Sequence, residues 1–418
     1  MRNGWSDDWH RHNRVLGENA DMTTSSPTLQ ALQNQIATAR NDKTALRIRG
    51  GGTKDFYGNA LGNHAVLDTR SHSGITSYEP SELVVTVRAG TPLAELEAAL
   101  AEKNQYLPFE PPHFSPVRAE PVAASGSTST SSVRTDGGGT VGGMVASGLS
   151  GAARAVTGSV RDHILGVQIV NGAGEVLNFG GTVMKNVAGY DVSRLLAGSM
   201  GTLALITEVS IKVLPIPVAD ATLGFDLDQA AALKLLNRWR ALPLPINSST
   251  WVDARGTKLG KDGFFVRLRG AQAAVASASE QLTQEQGGYV LPPEHSPAVW
   301  RSANDHVMSF FTPPADDLCL WRLSLPATTP ALDVPYPQYV EWQGAQRWLW
   351  ARASEHASLQ AMASAAGGHA TLFKSSPSGL QTDKAQGAFQ PQSAVLTTIN
   401  HQLRRELDPH GVFNTGRL

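Results

Sequence analysis

The sequence predicts an α+β protein in two parts, a larger one over residues 27–216 and a smaller one over 217–392, with a closing helix and tail over 393–418. Three observations carry this. Strand patterns alternate with single helices in the second half, and 418 residues are more than one domain's length at roughly 150 residues each. Of the 40 glycines, 24 fall between Gly50 and Gly201, a concentration that marks backbone needing positive φ or close approach. Pro215 and Pro217 then stop a long β-rich run, and the pattern changes after them.

Residues 1–26 have no periodicity and read as a flexible leader, with Met22 opening a plainer start than Met1. Thr28 to Ala39 reads as a helix with Leu29, Leu32 and Ile36 on one side, and Ala45 to Arg49 alternates as a strand. Leu83 to Val87 is a strand ended by Gly90, after which Thr91 caps a helix with Pro92 in its first turn and Leu93, Leu96 and Leu100 on one side. Ser, Thr, Pro, Ala and Gly dominate 114–139, a low-complexity insertion expected to be solvated. His163–Val170 and Glu175–Phe179 form the arms of a hairpin turned at Asn171-Gly172. Asp191 caps a short helix to Leu196, Gly198 ends it, and Leu203–Leu214 is the β-rich run. Beyond the prolines come helices at 228–240, 271–285, 354–365 and 393–407, with strands at 264–268, 320–325 and 339–342.

Composition excludes several classes. With 35 Lys+Arg against 36 Asp+Glu the net charge is −1, too balanced for a phosphate-backbone or polybasic membrane surface. Cys319 is the only cysteine, so this chain alone makes no internal disulfide, multi-cysteine zinc site or iron–sulfur cluster, and a reducing cytoplasmic location fits. No apolar run reaches the roughly 18 residues of a membrane-spanning helix.

Gly50-Gly51-Gly52-Thr53-Lys54 offers successive backbone N–H groups, a hydroxyl and flanking charge from Arg49 and Lys54, which suits a pyrophosphate; an isolated glycine triplet is also an ordinary turn. It has neither the Walker spacing nor a Rossmann helix after it. Thr140-Val141-Gly142-Gly143 and Ser147 to Gly151 let backbone approach a flat or phosphorylated ligand, or another helix. Arg161-Asp162, after Gly158-Ser159, is a charge pair that a surface salt bridge would equally explain.

In order, these motifs resemble the FAD-binding domain of the vanillyl-alcohol-oxidase type, also called PCMH-type: Arg49 to Lys54, Glu79-Pro80, Ala89-Gly90-Thr91-Pro92-Leu93, Thr140 to Gly143, Gly198 to Glu208, and the ending Leu407 to Asn414. Within that family the FAD-binding subunits of glycolate oxidase are most similar, through Pro108 to His113, Gly158 to Asp162, Val183 to Asp191 and Gly367 to Phe373. The resemblance implies a two-part FAD-binding domain followed by a smaller α/β cap-like domain, with the C-terminal tail returning to the FAD domain. It implies that Arg49, Gly50, Gly51, Gly52, Thr53 and Lys54 hold the pyrophosphate, and that Pro112, Thr140, Gly142, Gly143, Ser147 and Gly151 line the cofactor. Ser159, Arg161, Asp162 and the backbone of Ile206 complete the set. The loop Arg49–Gly58 lacks the histidine through which some relatives link FAD, so non-covalent binding is expected.

Oxidation of a 2-hydroxy acid needs a base for the hydroxyl proton and a grip on the carboxylate. Catalytic relatives supply these through a His-x-Gly-Asp-Gly-Asn-x-His type of run and a Glu-His pair. Here His295, His306, His356, His369, His401 and His410 stand singly, and core or surface roles are expected, His369 being set apart because it lies in a matched run. No metal site and no catalytic residue is assigned. The expectation is an FAD subunit working with a homologous catalytic flavoprotein and an iron–sulfur subunit on glycolate or a related acid, meeting a membrane only through the complex. The alternatives are a self-sufficient 2-hydroxy-acid dehydrogenase and a structural subunit without redox-active flavin. Trp300, Trp321, Trp342, Trp348 and Trp350 suit an interface or a core, the core being preferred for Trp321 and Trp342.

Overall fold

Two larger sheets, both antiparallel, are built from strands most of whose residues are buried. The computed structural model describes residues 26–60, 62–115, 138–182, 191–256, 260–380, 382–413 and 416–418. Nearly all of the expected leader, the insertion over 116–137, the run Val183–Tyr190 and Asn414 lie outside these residues.

The first sheet has five strands in the order Ile75–Glu79, Val84–Arg88, Leu205–Lys212, Ile164–Val170, Val176–Gly180, all neighbours antiparallel. Leu205–Lys212 lies at its centre, where Leu205, Ile206, Val209 and Ile211 are buried. The helices Leu93–Ala101 and Val141–Ser147 add Leu93, Leu96, Leu100, Val141 and Met144 to the same core. Before this sheet, Ser26 caps the helix Pro27–Asn41, with Pro27 in its first turn and Leu29, Leu32, Ile36 and Ala39 buried at helical spacing. That helix covers a parallel pair, Leu46–Arg49 with Ala65–Asp68, which Phe413 of the tail extends by a parallel bridge to Leu46.

The second sheet has eight strands, in the order Tyr289–Val290, Ala219–Phe225, Gly263–Gly270, Ile246–Val252, Gln338–Glu341, Gln346–Ala351, Cys319–Ser324, His369–Lys374, again all antiparallel. Helices Gln229–Trp239, Gln272–Gln286 and His356–Ala365 pack on one face. The other face, carrying Leu320, Tyr339, Trp348, Trp350 and Phe373, meets Tyr57, Phe114, Leu149 and Met200 of the first part in a mixed aromatic core. No helix among the described residues is long and apolar enough to cross a membrane.

Three local expectations change. The cap of Leu93–Ala101 is Pro92, one residue later than expected; the Thr91 hydroxyl instead accepts from Gly74 N and donates to Arg88 O. In the hairpin turn the left-handed glycine is Gly174 (φ 86°), whereas at Gly172 an added Cβ would sit 2.1 Å from Asp408 Oδ1, so close packing requires that glycine. Trp300, Trp321, Trp348 and Trp350 are at most 3% exposed and serve the core, not an interface. Each removes roughly 150–250 Å² from water, about 4–6 kcal/mol at about 25 cal/mol per Å². Trp342 lies just past the strand Gln338–Glu341, at φ 53°, and is partly exposed.

An ion network joins the two parts. Arg267, with 2% of its side chain exposed, donates through Nη2 to Glu110 Oε1 and Oε2 at 2.7 and 2.8 Å and through Nε to Asn247 Oδ1 at 2.8 Å. Arg269 Nη1 donates to Glu110 Oε1 at 2.9 Å, and its Nε reaches Asp220. Glu110→Ala therefore strands a buried guanidinium and is expected to destabilise the protein by about 3–5 kcal/mol in urea unfolding; a loss below about 1 kcal/mol, as for an exposed pair, would contradict this.

Candidate functional site

The loop after Arg49 is shaped by three glycines that cannot be replaced without moving their surroundings. A Cβ on Gly50 would lie 2.2 Å from Thr140 Oγ1, one on Gly51 would lie 1.8 Å from Gly138 O, and Gly52 has φ 72°. The loop therefore packs backbone to backbone on 138–140, where Thr140 caps the helix Val141–Ser147 by accepting from Gly143 N at 3.2 Å. Between them lies a recess of about 90 Å³ lined by Arg49, Gly50, Gly51, Gly52, Thr53, Lys54, Thr140, Gly143 and Ser147 of the expected residues.

Four cations, Arg47, Arg49, Lys54 and Arg417, face one carboxylate, Asp55, around this recess. Asp55 Oδ2 is shared by Arg47 Nη2 at 2.5 Å and Arg49 Nε at 2.9 Å. Arg417 Nη2 donates to Lys54 O at 2.9 Å and Asp55 O at 3.2 Å, and Lys384 Nζ holds Phe56 O at 2.5 Å and Gly58 O at 2.9 Å. The loop backbone is thus clamped from the tail and from the second part. Burial pushes the Lys54 ammonium down to about 8. A cation set in this way beside the glycine backbone and further positive charge suits an anion of two charges.

A second cavity of about 390 Å³ adjoins the first through Ser147 and Met200. Ser147, Ser159 and Arg161 line it from the expected set, along with Gly148, Leu149, Arg154, Arg322, Trp342 and His369. Among the described residues no aspartate or glutamate does. The Arg154 guanidinium lies 4.4 Å over the Trp342 ring, and Trp342 Nε1 donates to Gly151 O at 2.9 Å. Arg322 Nη2 donates to Tyr57 Oη at 2.9 Å, while its Nε is buried with no acceptor. His369 titrates below its ordinary value because of burial and, second, Arg322. The backbone floor at Gly148-Leu149 and the Trp342 indole make this cavity suited to a flat ring.

Pro112 and Gly151 line a third, smaller cavity of about 30 Å³ that shares Gly148, Leu149, Arg322 and Trp342 with the second. The remaining expected residues, Gly142, Asp162 and Ile206, line none of the three. Gly142 lets its helix approach Ala89, whose Cβ would be 2.7 Å from an added one. Asp162 Oδ2 closes a capping box with Ser159 N and Oγ, both at 2.8 Å. Ile206 pairs with Ile169 in the first core. Arg47, Asp55, Arg322, Trp342 and Arg417 were absent from the expected set; Arg47 and Asp55 flank the glycine motif, Arg417 lies just past the matched tail, Trp342 was read as core, and only Arg322 had no signal near it.

Residues 27–134 match the FAD binding domain family. The glycolate oxidase subunit GlcE of Escherichia coli (strain K12) is 40% identical over 389 residues, which are 93% of this chain and 97% of that relative. The chain belongs to the GlcE family. GlcD, a glycolate oxidase subunit of Bacillus subtilis (strain 168), is 41% identical over 78 residues, 19% of this chain and 16% of GlcD. A crystal structure of p-cresol methylhydroxylase with substrate bound superposes with a TM-score of 0.61, covering 93% of this chain and 87% of that one at 12% identity. At that identity the likeness establishes the fold, PCMH-type. FAD is accordingly the cofactor of this GlcE-family chain. The glycine cradle, which any Cβ would fill, and the cations around it fit its pyrophosphate.

Arg417→Ala removes both bonds to the loop carbonyls and is expected to lower stability by about 1–3 kcal/mol and to speed amide exchange at 53–58. Unchanged exchange would show that the tail does not hold the loop.

Proposed function

We propose that this chain is the FAD-carrying subunit of a glycolate oxidase complex, taking part in oxidation of glycolate to glyoxylate and passing electrons to an iron–sulfur partner subunit. The observation that carries the reading is the glycine cradle with four cations against one carboxylate, opening into a ring-sized cavity that no aspartate or glutamate among the described residues lines. Gly50, Gly51, Gly52, Thr53, Lys54 and Thr140 would hold the pyrophosphate, and Gly148, Leu149 and Trp342 would border the ring. When bound, FAD supplies acceptance of two electrons from the substrate carbon. The chain's own residues orient it, neutralise its phosphates and exclude water. The loop Arg49–Gly58 holds no histidine, in keeping with a non-covalent cofactor.

Partners follow from what the chain lacks. One cysteine, buried in the second sheet with burial pushing its thiol up to about 12, cannot ligate a cluster, so onward one-electron transfer belongs to another subunit. Among the described residues no group of histidines, cysteines and carboxylates could hold a metal ion. A homologous flavoprotein of the GlcD kind would supply the histidine-rich chemistry, and the complex would work in the cytoplasm at the inner face of the membrane.

Glycolate added to the isolated chain, and to the chain purified with its partner subunits, should bleach the flavin fast only in the complex. Full-rate reduction in the isolated chain would favour a self-sufficient dehydrogenase, and a colourless protein a structural subunit.

The cradle also sets a pH dependence. The bound pyrophosphate favours protonated Lys54, so its pKa rises from about 8 on binding and a proton is taken up above that value. FAD affinity should be flat below pH 8 and fall as pH rises beyond it, by up to about tenfold per unit. Flat affinity from pH 7 to 10 in fluorescence titration of apoprotein would remove Lys54 from the site.

A further inference from the structure

We propose that the first turns of the closing helix Ala394–Leu407, with the cationic cleft beneath them, form the docking surface for the electron-accepting iron–sulfur subunit, which engages it through apolar and acidic side chains. This rests on the reading of the chain as the FAD-carrying subunit of a complex, and adds where that partner sits.

The helix is built to be covered. Ser393 caps it by accepting from Leu396 N at 3.4 Å, and Leu396, Ile399, Leu403 and Leu407 recur at helical spacing on one side. Of its 14 residues only Leu407 is buried, and Leu403 packs partly on the first core. The turns before them stand free, with Val395 69%, Leu396 51% and Ile399 45% exposed. A helix of this length is marginal in water without tertiary contacts, and neighbouring apolar side chains left in water on one element mark an association surface.

Position selects this patch from the other exposed apolar residues. Between the helix and the body lies a cleft of about 860 Å³, bordered by Leu396 and Leu403 on the helix and by Leu195, Leu203 and Phe389 opposite. The cleft shares Ala197, Gly198, Arg322, His369 and Phe389 with the ring-sized cavity, so a partner seated there stands next to the space a ring would fill. Val218, 87% exposed, and Tyr289–Val290 at the outer edge of the second sheet line neither space. A relay that takes electrons one at a time must come close to its donor, and the helix patch offers that approach.

Charge selects the partner. Arg322, His369, His401 and Arg404 line the cleft, and among the described residues no aspartate or glutamate side chain does. On the helix itself Arg404 and Arg405 stand against one acid, Glu406. Arg404 Nη2 makes a long contact to Leu418 O at 3.5 Å. A cluster held by cysteine thiolates is an anion, and acidic side chains around it complement a cationic cleft. A second copy of this chain, meeting the patch with its own, would set arginine against arginine.

The test is purification of the complex on a tag carried by this chain, with iron and the subunits counted in the product. The double substitution Val395→Asp with Ile399→Asp alters two exposed side chains, and is expected to cut iron per chain at least about tenfold while this chain keeps its flavin absorbance. Arg404→Glu should lower iron in the same direction, and Val218→Asp should leave it unchanged. In the natural protein, amide exchange at 394–406 should slow at least about tenfold on going from the free chain to the complex, a readout that needs no variant to fold. Full iron in the double variant, equal loss in Val218→Asp, loss of the homologous flavoprotein in place of the iron–sulfur subunit, or unchanged exchange at 394–406 overturns the proposal. A natural chain that brings down no iron overturns the underlying reading as well, whereas iron retained by the variants overturns the docking surface alone.

Discussion

The Glu110 carboxylate is the point on which the two halves of the molecule are aligned. It comes from a loop beside the first sheet and is gripped by Arg267 and Arg269 of the second. Arg267 also uses Asn247 and Ser248 and lies 4.9 Å from the Trp300 ring, so its guanidinium has a complete set of partners only with Glu110 in place. Glu110 itself adopts φ 47°, a conformation that tertiary contacts must hold. Its carbonyl lies where a Cβ on Gly151 would be 2.5 Å away, and Gly151 in turn receives Trp342 Nε1. The same few residues thus set the separation of the sheets and the width of the cavities between them.

Charge is arranged locally against a neutral average. The whole chain carries −1, yet among the described residues the recess at the glycine loop gathers four cations and one carboxylate, and the next cavity has three arginines and no acidic side chain. Net charge describes solubility and long-range attraction; a cofactor site answers to the few ångströms around it. Positive charge at both ends of the path would stabilise negative charge on phosphates and on a reduced ring alike.

The elements that were legible in the sequence are those whose pattern is local. The helices Pro27–Asn41 and Gln229–Trp239 have caps and periodic apolar faces, and both formed close to where the pattern placed them. Gln346–Ala351 has no alternation because every residue is buried, so it gave no strand signal, and its tryptophans were ambiguous between core and interface. The glycine loop was legible as a cradle. Its clamps were not, since Arg417 and Lys384 reach it across more than 300 residues. Arg322 gave no signal and His306 was read only as a core or surface histidine, for the same reason: each looks ordinary beside its chain neighbours, and only the fold brings them to one cavity.

The tail's place in the parallel pair has a consequence for biosynthesis. Leu46 N donates to Val412 O at 2.7 Å, Asp408 carboxylate oxygens receive Val412 N and Phe413 N, and Arg417 closes over the glycine loop. The loop leaves the ribosome some 360 residues before its last clamp. Both sheets can assemble in the meantime, but the glycine loop lacks its Arg417 clamp until elongation has passed that residue, so the geometry of the cradle is completed by one of the last segments of this sequence to be made.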